Sequence, residues 1–209
     1  MYLPEHFKEV SEAEIAAVIA EAPLACVVAQ TAEGLVANHL PLVPGGEGVL
    51  IGHVALANDM HRLVADGQEV LAIFRGVDGY VSPNFYPSKA EHHRHVPTWN
   101  YEVVHVHGTI AFQHDERTKR AAVGLLTRER ERRLNGPRAW RMADAPADYM
   151  TQMLGGIVAF RIAIGRVVAK AKLSQNREPR DHRGAVEGLR QSGNSALAER
   201  MAKRPAEDG

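Results

Sequence analysis

The residue types best suited to chemistry are concentrated in one stretch of this 209-residue chain, YVSPNFYPSKAEHHRHVPTWNYEVVHVHG at residues 80–108. It holds three of the five tyrosines, one of the two tryptophans and five of the eleven histidines. We take this stretch as the candidate functional region. The rest of the chain must then position it.

The histidines of this stretch offer one interpretation, a metal site. His105 and His107 are two apart in a strand-like run, so their side chains share a face. With His92, His93 and His95 upstream, they could ligate zinc, iron or copper. However, the spacing matches no recognised metal motif, and HHRH lies among charged residues. A solvated loop is therefore preferred, and a metal or haem contact is kept as the alternative.

Nucleophilic and acid–base catalysis find little support in the sequence. Ser82 and Ser88 lack the G-x-S-x-G pattern of a nucleophile elbow, and Cys26 lies in the apolar run LACVVA, where a buried small hydrophobe is expected. Glu91 and Glu102 are the only acids between residues 80 and 108. No catalytic residue is predicted, and whether the protein is an enzyme stays open.

The run from Thr98 to Tyr101 suits a ligand better. Pro97 fixes the backbone at the start of a strand, and the next four residues supply a hydroxyl, a flat ring with one donor, an amide and a phenol. These groups match a planar ligand with polar edges. The alternative is that Trp99 and Tyr101 are core residues whose polar tips are satisfied.

A second polar run follows the last long strand. Alternation places Lys170 and Lys172 on one face, where they could hold a phosphate group. The alternative is a solvated strand face.

The elements that position these residues are mostly strands. We expect hairpins over residues 24–43, further strands at 49–54, 70–74 and 101–112, and one long strand at 157–173 that changes face near Gly165. Helices are expected from Ser11, from Asn58 or Asp59, over 117–134, from Asp144 to Gly155 and, in two pieces, beyond Asp181.

Six or seven strands joined by short connections predict a mainly β, antiparallel barrel or sandwich with peripheral helices. The sequence contains neither a Rossmann motif nor a Walker motif, either of which would have indicated a different fold. We predict one domain over residues 1–177, which includes the inserted helices at 115–156, and a C-terminal helical extension with a polar tail at 178–209.

Composition narrows the class further. The formal net charge is +0, but residues 1–100 carry 5 basic and 12 acidic residues, so the rest carries 20 and 13. The basic half could meet an anion or nucleic acid, although mutual complementarity of the halves is the preferred interpretation. One cysteine excludes a disulfide framework. With no signal-peptide pattern or membrane-length apolar run, we expect a cytoplasmic protein that is not bound to a membrane.

Six motifs resemble the PaiB family, described as FMN-binding negative transcriptional regulators. They are MYLPEHF at 1–7, HLPL at 39–42, GHVALAN at 52–58, YVSPNFYPSK at 80–89, VPTWNYEVVHVHG at 96–108 and KLSQNR at 172–177. The resemblance implies a split β-barrel like that of pyridoxamine-phosphate oxidase, a homodimer, and FMN held at the subunit interface.

The resemblance also implies a set of cofactor-binding candidates, which are His39, His53, Asn58, Thr98, Trp99, Asn100, Lys172, Ser174, Gln175 and Asn176. Asn58, at a helix start, is expected near the phosphate. The chain departs from the family pattern at Leu56, where a cation is usual, and at Ala171, where an aromatic residue is common.

Three hypotheses for function follow. The leading one is a dimeric, FMN-binding transcriptional regulator of the PaiB type. The second is a flavin- or haem-dependent oxidoreductase on the same fold. The third is direct DNA binding by residues 115–141, which carry nine basic and four acidic residues but no helix-turn-helix motif.

Overall fold

The computed structural model describes residues 1–206, so the last three residues of the predicted polar tail lie outside the described residues. The described residues form eight strands: β1 Lys8–Glu9, β2 Leu24–Thr31, β3 Gly34–Pro41, β4 Val43–Pro44, β5 Val49–Ala55, β6 Glu69–Val81, β7 Thr98–Gln113 and β8 Ile157–Lys172. They also form seven α-helices: α1 Glu12–Glu21, α2 Met60–Leu63, α3 Lys89–His92, α4 Glu116–Asn135, α5 Ala147–Gly155, α6 Pro179–Gln191 and α7 Ser195–Lys203. No helix within residues 1–206 has the length and apolar character needed to cross a membrane.

The strands form one sheet in the order β3-β2-β6-β7-β8-β5-β4, with β1 added to β8. Strands β2 and β3 form the predicted hairpin, in which Val27 lies opposite Asn38. Strand β5 is antiparallel to β8, with Gly52 opposite Phe160. The predicted mainly β, antiparallel class is confirmed.

One predicted strand end is wrong. We expected β6 to stop at Phe74, but the strand continues through RGVDG at residues 75–79 to Val81. Two glycines in this continuation allow neighbouring side chains to lie close to the strand. A Cβ at Gly76 would lie 3.1 Å from the Cβ of Glu102, and one at Gly79 would lie 2.3 Å from Nδ2 of Asn194. A larger residue at Gly79 would therefore displace its neighbour.

The chain divides into two compact units. One comprises residues 22–74 and 105–167 and contains the β2–β3 hairpin, β4, β5, α2, α4 and α5. Its largest fully buried side chains include Phe74, Phe160, Leu42, Leu50, Ile110 and Ile162. Alternating strand patterns place these apolar side chains inside, as the sequence predicts.

The other unit comprises residues 1–21, 75–104 and 168–206. Its core packs the apolar faces of α6 and α7 against the ends of β6 and β8. Two glycines on α6 make this approach feasible, since a Cβ at Gly184 or at Gly188 would lie 2.3 Å from an atom of Phe85. The C-terminal helices are thus part of this unit's core. Treating residues 178–209 as a separate extension of a 1–177 domain stays a prediction.

Local details refine two expectations. Helix α1 begins as predicted, but only half of the capping box forms: the Ser11 hydroxyl accepts from the Glu14 backbone N–H, while the Ser11 N–H donates to Glu9 Oε1. Cys26 is partly exposed rather than buried. On β8, buried apolar side chains shift from even positions such as Phe160 to odd ones such as Ala171, so the predicted change of face is seen.

Charged contacts fix α7 to the strands and to α1. Arg200 donates two hydrogen bonds of 2.8 Å to the Glu102 carboxylate and lies 3.1 Å from Glu14. Arg204 lies 2.6 Å from Glu9. Glu102 is 5% exposed, so its charge depends on Arg200 for compensation.

We therefore predict that Arg200→Met destabilises the protein by about 3 kcal/mol, because it leaves a buried carboxylate unpaired. Urea denaturation measures this. The double variant Arg200→Met/Glu102→Met removes both charges and should recover much of the loss. A single variant that costs less than about 1 kcal/mol would show that the ion pair does not hold α7.

Candidate functional site

The start of β7 and the end of β8 meet through Lys172. Its ammonium group donates to the Thr98 hydroxyl and, at 2.7 Å, to the Trp99 carbonyl oxygen. Burial, together with the nearby charges of Lys170 and Arg177, lowers the pKa of Lys172. The folded protein therefore holds this ammonium group where its positive charge is disfavoured.

The two cations beside Lys172 are also held by uncharged groups. Lys170 is buried, donates to the Tyr2 carbonyl oxygen at 3.1 Å, and lies 5.3 Å from the Tyr101 ring centroid. The Arg177 guanidinium lies 5.2 Å from the Tyr86 ring centroid. Within residues 1–206, none of the three has a carboxylate within ion-pair distance. We call Lys170, Lys172 and Arg177 the β8 cation cluster.

Asn100 forms the buried centre of the neighbouring polar group. Its Nδ2 donates to the Ser174 hydroxyl at 2.8 Å and more weakly to the Met201 sulfur at 3.5 Å. Its Oδ1 is buried and has no hydrogen-bond partner. Ser174 adopts the left-handed conformation, with φ of 67°. Such a strained backbone and an unsatisfied acceptor are typical of a functional site.

Gln175 has a structural role instead. Its Oε1 accepts from the Leu173 N–H at 2.7 Å and its Nε2 donates to the Ala171 carbonyl oxygen at 2.6 Å. Both polar ends of this side chain close the turn after β8. Asn176, which follows, is exposed.

Trp99 is half exposed, at 51%, and is oriented by its own polar contact. Its Nε1 donates to Asp78 at 2.7 Å, and Arg75 lies 2.5 Å from the same carboxylate. Burial alone would raise the pKa of Asp78, but the hydrogen bonds from Arg75 and Trp99 lower it overall. The Tyr80 ring lies edge-on at 6.3 Å, so the pair presents an ordered aromatic surface.

The other unit holds the remaining candidates. His53, on β5, has a buried Nδ1 with no hydrogen-bond partner, and burial lowers its pKa, so a neutral imidazole is favoured. Asn58 lies just before Asp59, the N-cap of α2, and its Oδ1 accepts from the Met60 N–H at 2.9 Å, while its Nδ2 donates to Asn38 at 2.8 Å. His39 is exposed on β3 and, next to Asn38, points to the opposite face.

The histidine loop has a structural contact that the sequence did not predict. The Ser88 hydroxyl donates to Asp181 at 2.6 Å and lies 2.6 Å from His95 Nε2. The Ser88 backbone N–H also donates to Asp181, at 3.0 Å. All three side chains are buried, so this cluster joins the loop to the start of α6. It has the residue types of a catalytic triad, but the carboxylate contacts the serine directly.

Of the ten predicted cofactor residues, seven lie in the unit of residues 1–21, 75–104 and 168–206. Lys172 contacts Thr98 and Trp99, and Asn100 contacts Ser174. Residues missed as partners are Asn38, Asp78 and Arg177. Alternation along β8 already marked Lys170 as a phosphate candidate, but no local signal marks Asn38 or Asp78.

Two solved structures that resemble this fold are named as a flavin and haem binding protein and as a flavocytochrome. The FAD and haem binding protein from Mycobacterium smegmatis matches with a TM-score of 0.59 and 19% identity, covering 79% of this chain and 73% of that chain. The flavocytochrome Anf3 from Azotobacter vinelandii matches with a TM-score of 0.55 and 15% identity, covering 81% and 72%. The protein therefore shares the fold of these two solved structures, and the predicted split-barrel fold is confirmed.

Sequence comparison identifies the family. Residues 1–166 match the family model described as "Putative FMN-binding domain". The protease synthase and sporulation protein PAI 2 of Bacillus subtilis is 30% identical over 207 residues, which cover 97% of this chain and 95% of that protein. An uncharacterised protein of Aspergillus fumigatus, AFUA_5G13800, is 28% identical over 176 residues, covering 70% and 67%. The chain belongs to the PaiB family of FMN-binding domain proteins.

The residues present fit such a cofactor. A flavin mononucleotide combines a phosphate with a planar ring that has polar edges. Within residues 1–206, no carboxylate lies within ion-pair distance of the β8 cation cluster, so its positive charge is available to a phosphate. Trp99 offers an exposed, oriented ring. Oδ1 of Asn100 is a buried acceptor without a partner. The donor set thus matches the chemistry that the family description names.

The Ser88 contact generates a pH prediction. Burial alone would raise the pKa of Asp181, but hydrogen bonds from the Ser88 hydroxyl and N–H lower it overall. A lowered carboxyl pKa contributes stability above its unfolded pKa of about 3.9, and that stability is lost as pH falls through the folded pKa. Ser88→Ala should cost about 1.5–3 kcal/mol near neutral pH, and less in acid.

Urea denaturation of Ser88→Ala and the wild type, from pH 7 to pH 3, measures this difference. Exposed Ser195, mutated to Ala, is the matched control and should show a small cost that does not change with pH. If the cost of Ser88→Ala were equally large at pH 3, the hydrogen bond to ionised Asp181 would not be its source.

Proposed function

We propose that this protein binds FMN non-covalently and acts as a homodimeric transcriptional regulator in the cytoplasm. The β8 cation cluster holds the phosphate, with Lys172 as its principal contact. The strand start at Thr98, Trp99 and Asn100 lies against the flavin. The family membership and the residue fit support this proposal.

The observation that carries the proposal is the uncompensated charge of the cluster. Folding partly removes Lys172 from water and also brings it close to two like charges, and both effects lower its pKa. Such an arrangement is costly unless an anion occupies the site for part of the protein's life. A dianionic phosphate would reverse the cost, because opposite charge favours the ammonium form.

The chain's own residues have separate tasks in this account. Lys172, already fixed by the Thr98 hydroxyl and the Trp99 carbonyl oxygen, binds the anion without reorganising its backbone contacts. Asp78 orients the Trp99 indole. When bound, the flavin supplies redox and light-absorbing chemistry that the amino acids lack.

A regulatory role is favoured over general acid–base catalysis by how the nearby acids are used. Glu102 is paired with Arg200, Asp78 accepts from Trp99, and Asp181 accepts from Ser88. No described carboxylate of this unit is placed as a general base beside the β8 cation cluster. The description of the PaiB family as negative transcriptional regulators points the same way.

A flavin-dependent oxidoreductase is the second candidate. Its support is the shared fold with the FAD and haem binding protein of Mycobacterium smegmatis. Steady-state oxidation of NADH or NADPH separates the two candidates. The regulator proposal expects the FMN-loaded protein to show no turnover above that of free FMN, whereas faster turnover would favour the oxidoreductase.

We assign no DNA-binding surface to the regulator, because the arginines of residues 115–141 follow no helix-turn-helix pattern. Direct binding to DNA would weaken steeply with salt. A regulator that acts through a protein partner would show no such binding. Gel shifts at two salt concentrations distinguish these modes.

The test of FMN binding is the variant Lys172→Met. Losing one charge-assisted contact to phosphate should weaken FMN binding by about tenfold or more, since such contacts contribute about 1.5–3 kcal/mol. Quenching of FMN fluorescence measures the affinity. Thermal unfolding with and without FMN should show a stabilisation that the variant loses.

Lys203→Met is the matched control, because Lys203 is an exposed lysine on α7 that is not among the residues assigned to FMN. It should bind FMN like the wild type. If the wild type neither quenches FMN nor gains thermal stability, the cofactor proposal fails. If Lys172→Met binds as well as the wild type, the phosphate does not lie at the β8 cation cluster.

A further inference from the structure

A groove on the helical insert lies in the unit of residues 22–74 and 105–167. One face of α4 carries Gly124, Thr127, Arg128, Glu131 and Arg132, which recur at helical spacing. The segment 139–142 runs along this face. Between them lies a cavity of about 390 Å³, within the usual range for small-molecule sites.

The groove is held in place by hydrogen bonds to Glu131. Its Oε2 accepts from the Trp140 backbone N–H at 3.0 Å and from Asn135 Nδ2 at 2.7 Å. These hydrogen bonds lower the pKa of Glu131. The Arg141 N–H is bonded to Asp144 at 2.8 Å, which fixes the next residue. The returning segment is therefore anchored to α4 at Trp140, and its next residue is held within the segment by Asp144.

The floor of the groove is apolar. Gly124 brings the helix close to the segment, since a Cβ there would lie 3.4 Å from the Met142 sulfur. Ala139, Met142 and the Trp140 side chain complete the lining, and the indole is 41% exposed. An exposed tryptophan beside an apolar cavity offers a surface on which a ring or hydrocarbon body can pack.

Three arginines surround this apolar floor. Within residues 1–206, Arg128 has no carboxylate at ion-pair distance. Arg132 makes a long ion pair of 4.0 Å with Glu129, whose carboxylate already binds Arg133 at 2.8 Å. Arg141 lies 3.3 Å from Asp144. The rim is therefore positively charged and weakly compensated.

Charge and shape together select the type of ligand. An apolar body fits the floor, and an acid group fits the arginine rim, where planar guanidinium groups favour carboxylate, sulfonate or phosphate. A nucleic acid would instead need an extended basic surface. Elsewhere on α4 charge is neutralised within the helix, as in Arg120 with Glu116 at 2.8 Å.

We propose that this groove is a second binding site, specific for a small organic anion with an apolar, ring-containing body. The site is separate from the residues assigned to FMN and does not depend on that assignment. In a regulatory protein it would serve as an effector site.

The probe is 8-anilinonaphthalene-1-sulfonate, titrated into the protein without FMN and again with FMN at a saturating concentration. Dye fluorescence should rise with a single site per chain, and tryptophan emission should be quenched. Arg128→Gln should weaken binding roughly tenfold. Arg138→Gln is the matched control, since it makes the same charge change next to the groove but outside its lining, and should stay within about twofold.

A filling variant, Thr127→Trp, should abolish dye binding while circular dichroism and the thermal midpoint stay near those of the wild type. A neutral analogue, N-phenyl-1-naphthylamine, should bind more weakly than the sulfonate. These results together would support the proposal.

Four outcomes would overturn it. They are equal effects of Arg128→Gln and Arg138→Gln, equal affinity for the neutral analogue, loss of the dye signal as FMN saturates its site, and displacement of the dye by duplex DNA with a steep salt dependence. The last would assign the surface to nucleic acid.

Discussion

Three positive side chains at the end of one strand, without a carboxylate among the described residues to neutralise them, are the constraint on which the site depends. The fold tolerates Lys170 by placing it against aromatic rings, and tolerates Lys172 by giving it hydroxyl and carbonyl oxygens. Neither arrangement supplies negative charge. The lowered pKa of Lys172 shows that its charged form is still disfavoured in the folded protein. A protein selected for stability alone would have no reason to keep this cluster.

The acids of the same unit are used elsewhere, which explains why the cluster stays uncompensated. Glu102 and Glu9 bind the arginines of α7, and Asp181 binds Ser88. These contacts fix the C-terminal helix and the histidine loop. The separation of paired acids from unpaired cations prepares an anion site within a well-packed unit. Binding to such a site costs little reorganisation, because the scaffold contacts are already made.

Local patterns predicted most elements, since alternation and capping depend on neighbouring residues. The β2–β3 hairpin, the change of face on β8 and the limits of α4 and α5 all agree with the sequence within a few residues. The continuation of β6 through RGVDG was missed, because its glycines are required by close contacts with residues distant in sequence, such as Asn194. Local sequence carries no signal for such contacts.

The candidate site likewise has one part that the sequence predicted and one part that only the structure shows. Family motifs located Lys172 and Thr98, which contact each other, and Asn100 and Ser174, which also contact each other. They also included Gln175, whose polar atoms both bond to its own backbone turn. The pairing of Ser88 with Asp181 spans 93 positions of sequence, and that of Asn58 with Asn38 spans 20. Only the fold brings such pairs together, so residue type alone could not assign their roles.

The most direct test of the central claim compares FMN with riboflavin, which has the same ring but no phosphate. If the β8 cation cluster holds the phosphate, calorimetric titration should show riboflavin binding at least about a hundredfold more weakly than FMN, a difference of about 2.8 kcal/mol. The affinity for FMN should also fall with rising salt. Equal affinities for the two ligands would contradict the account, because the ring alone would then explain binding.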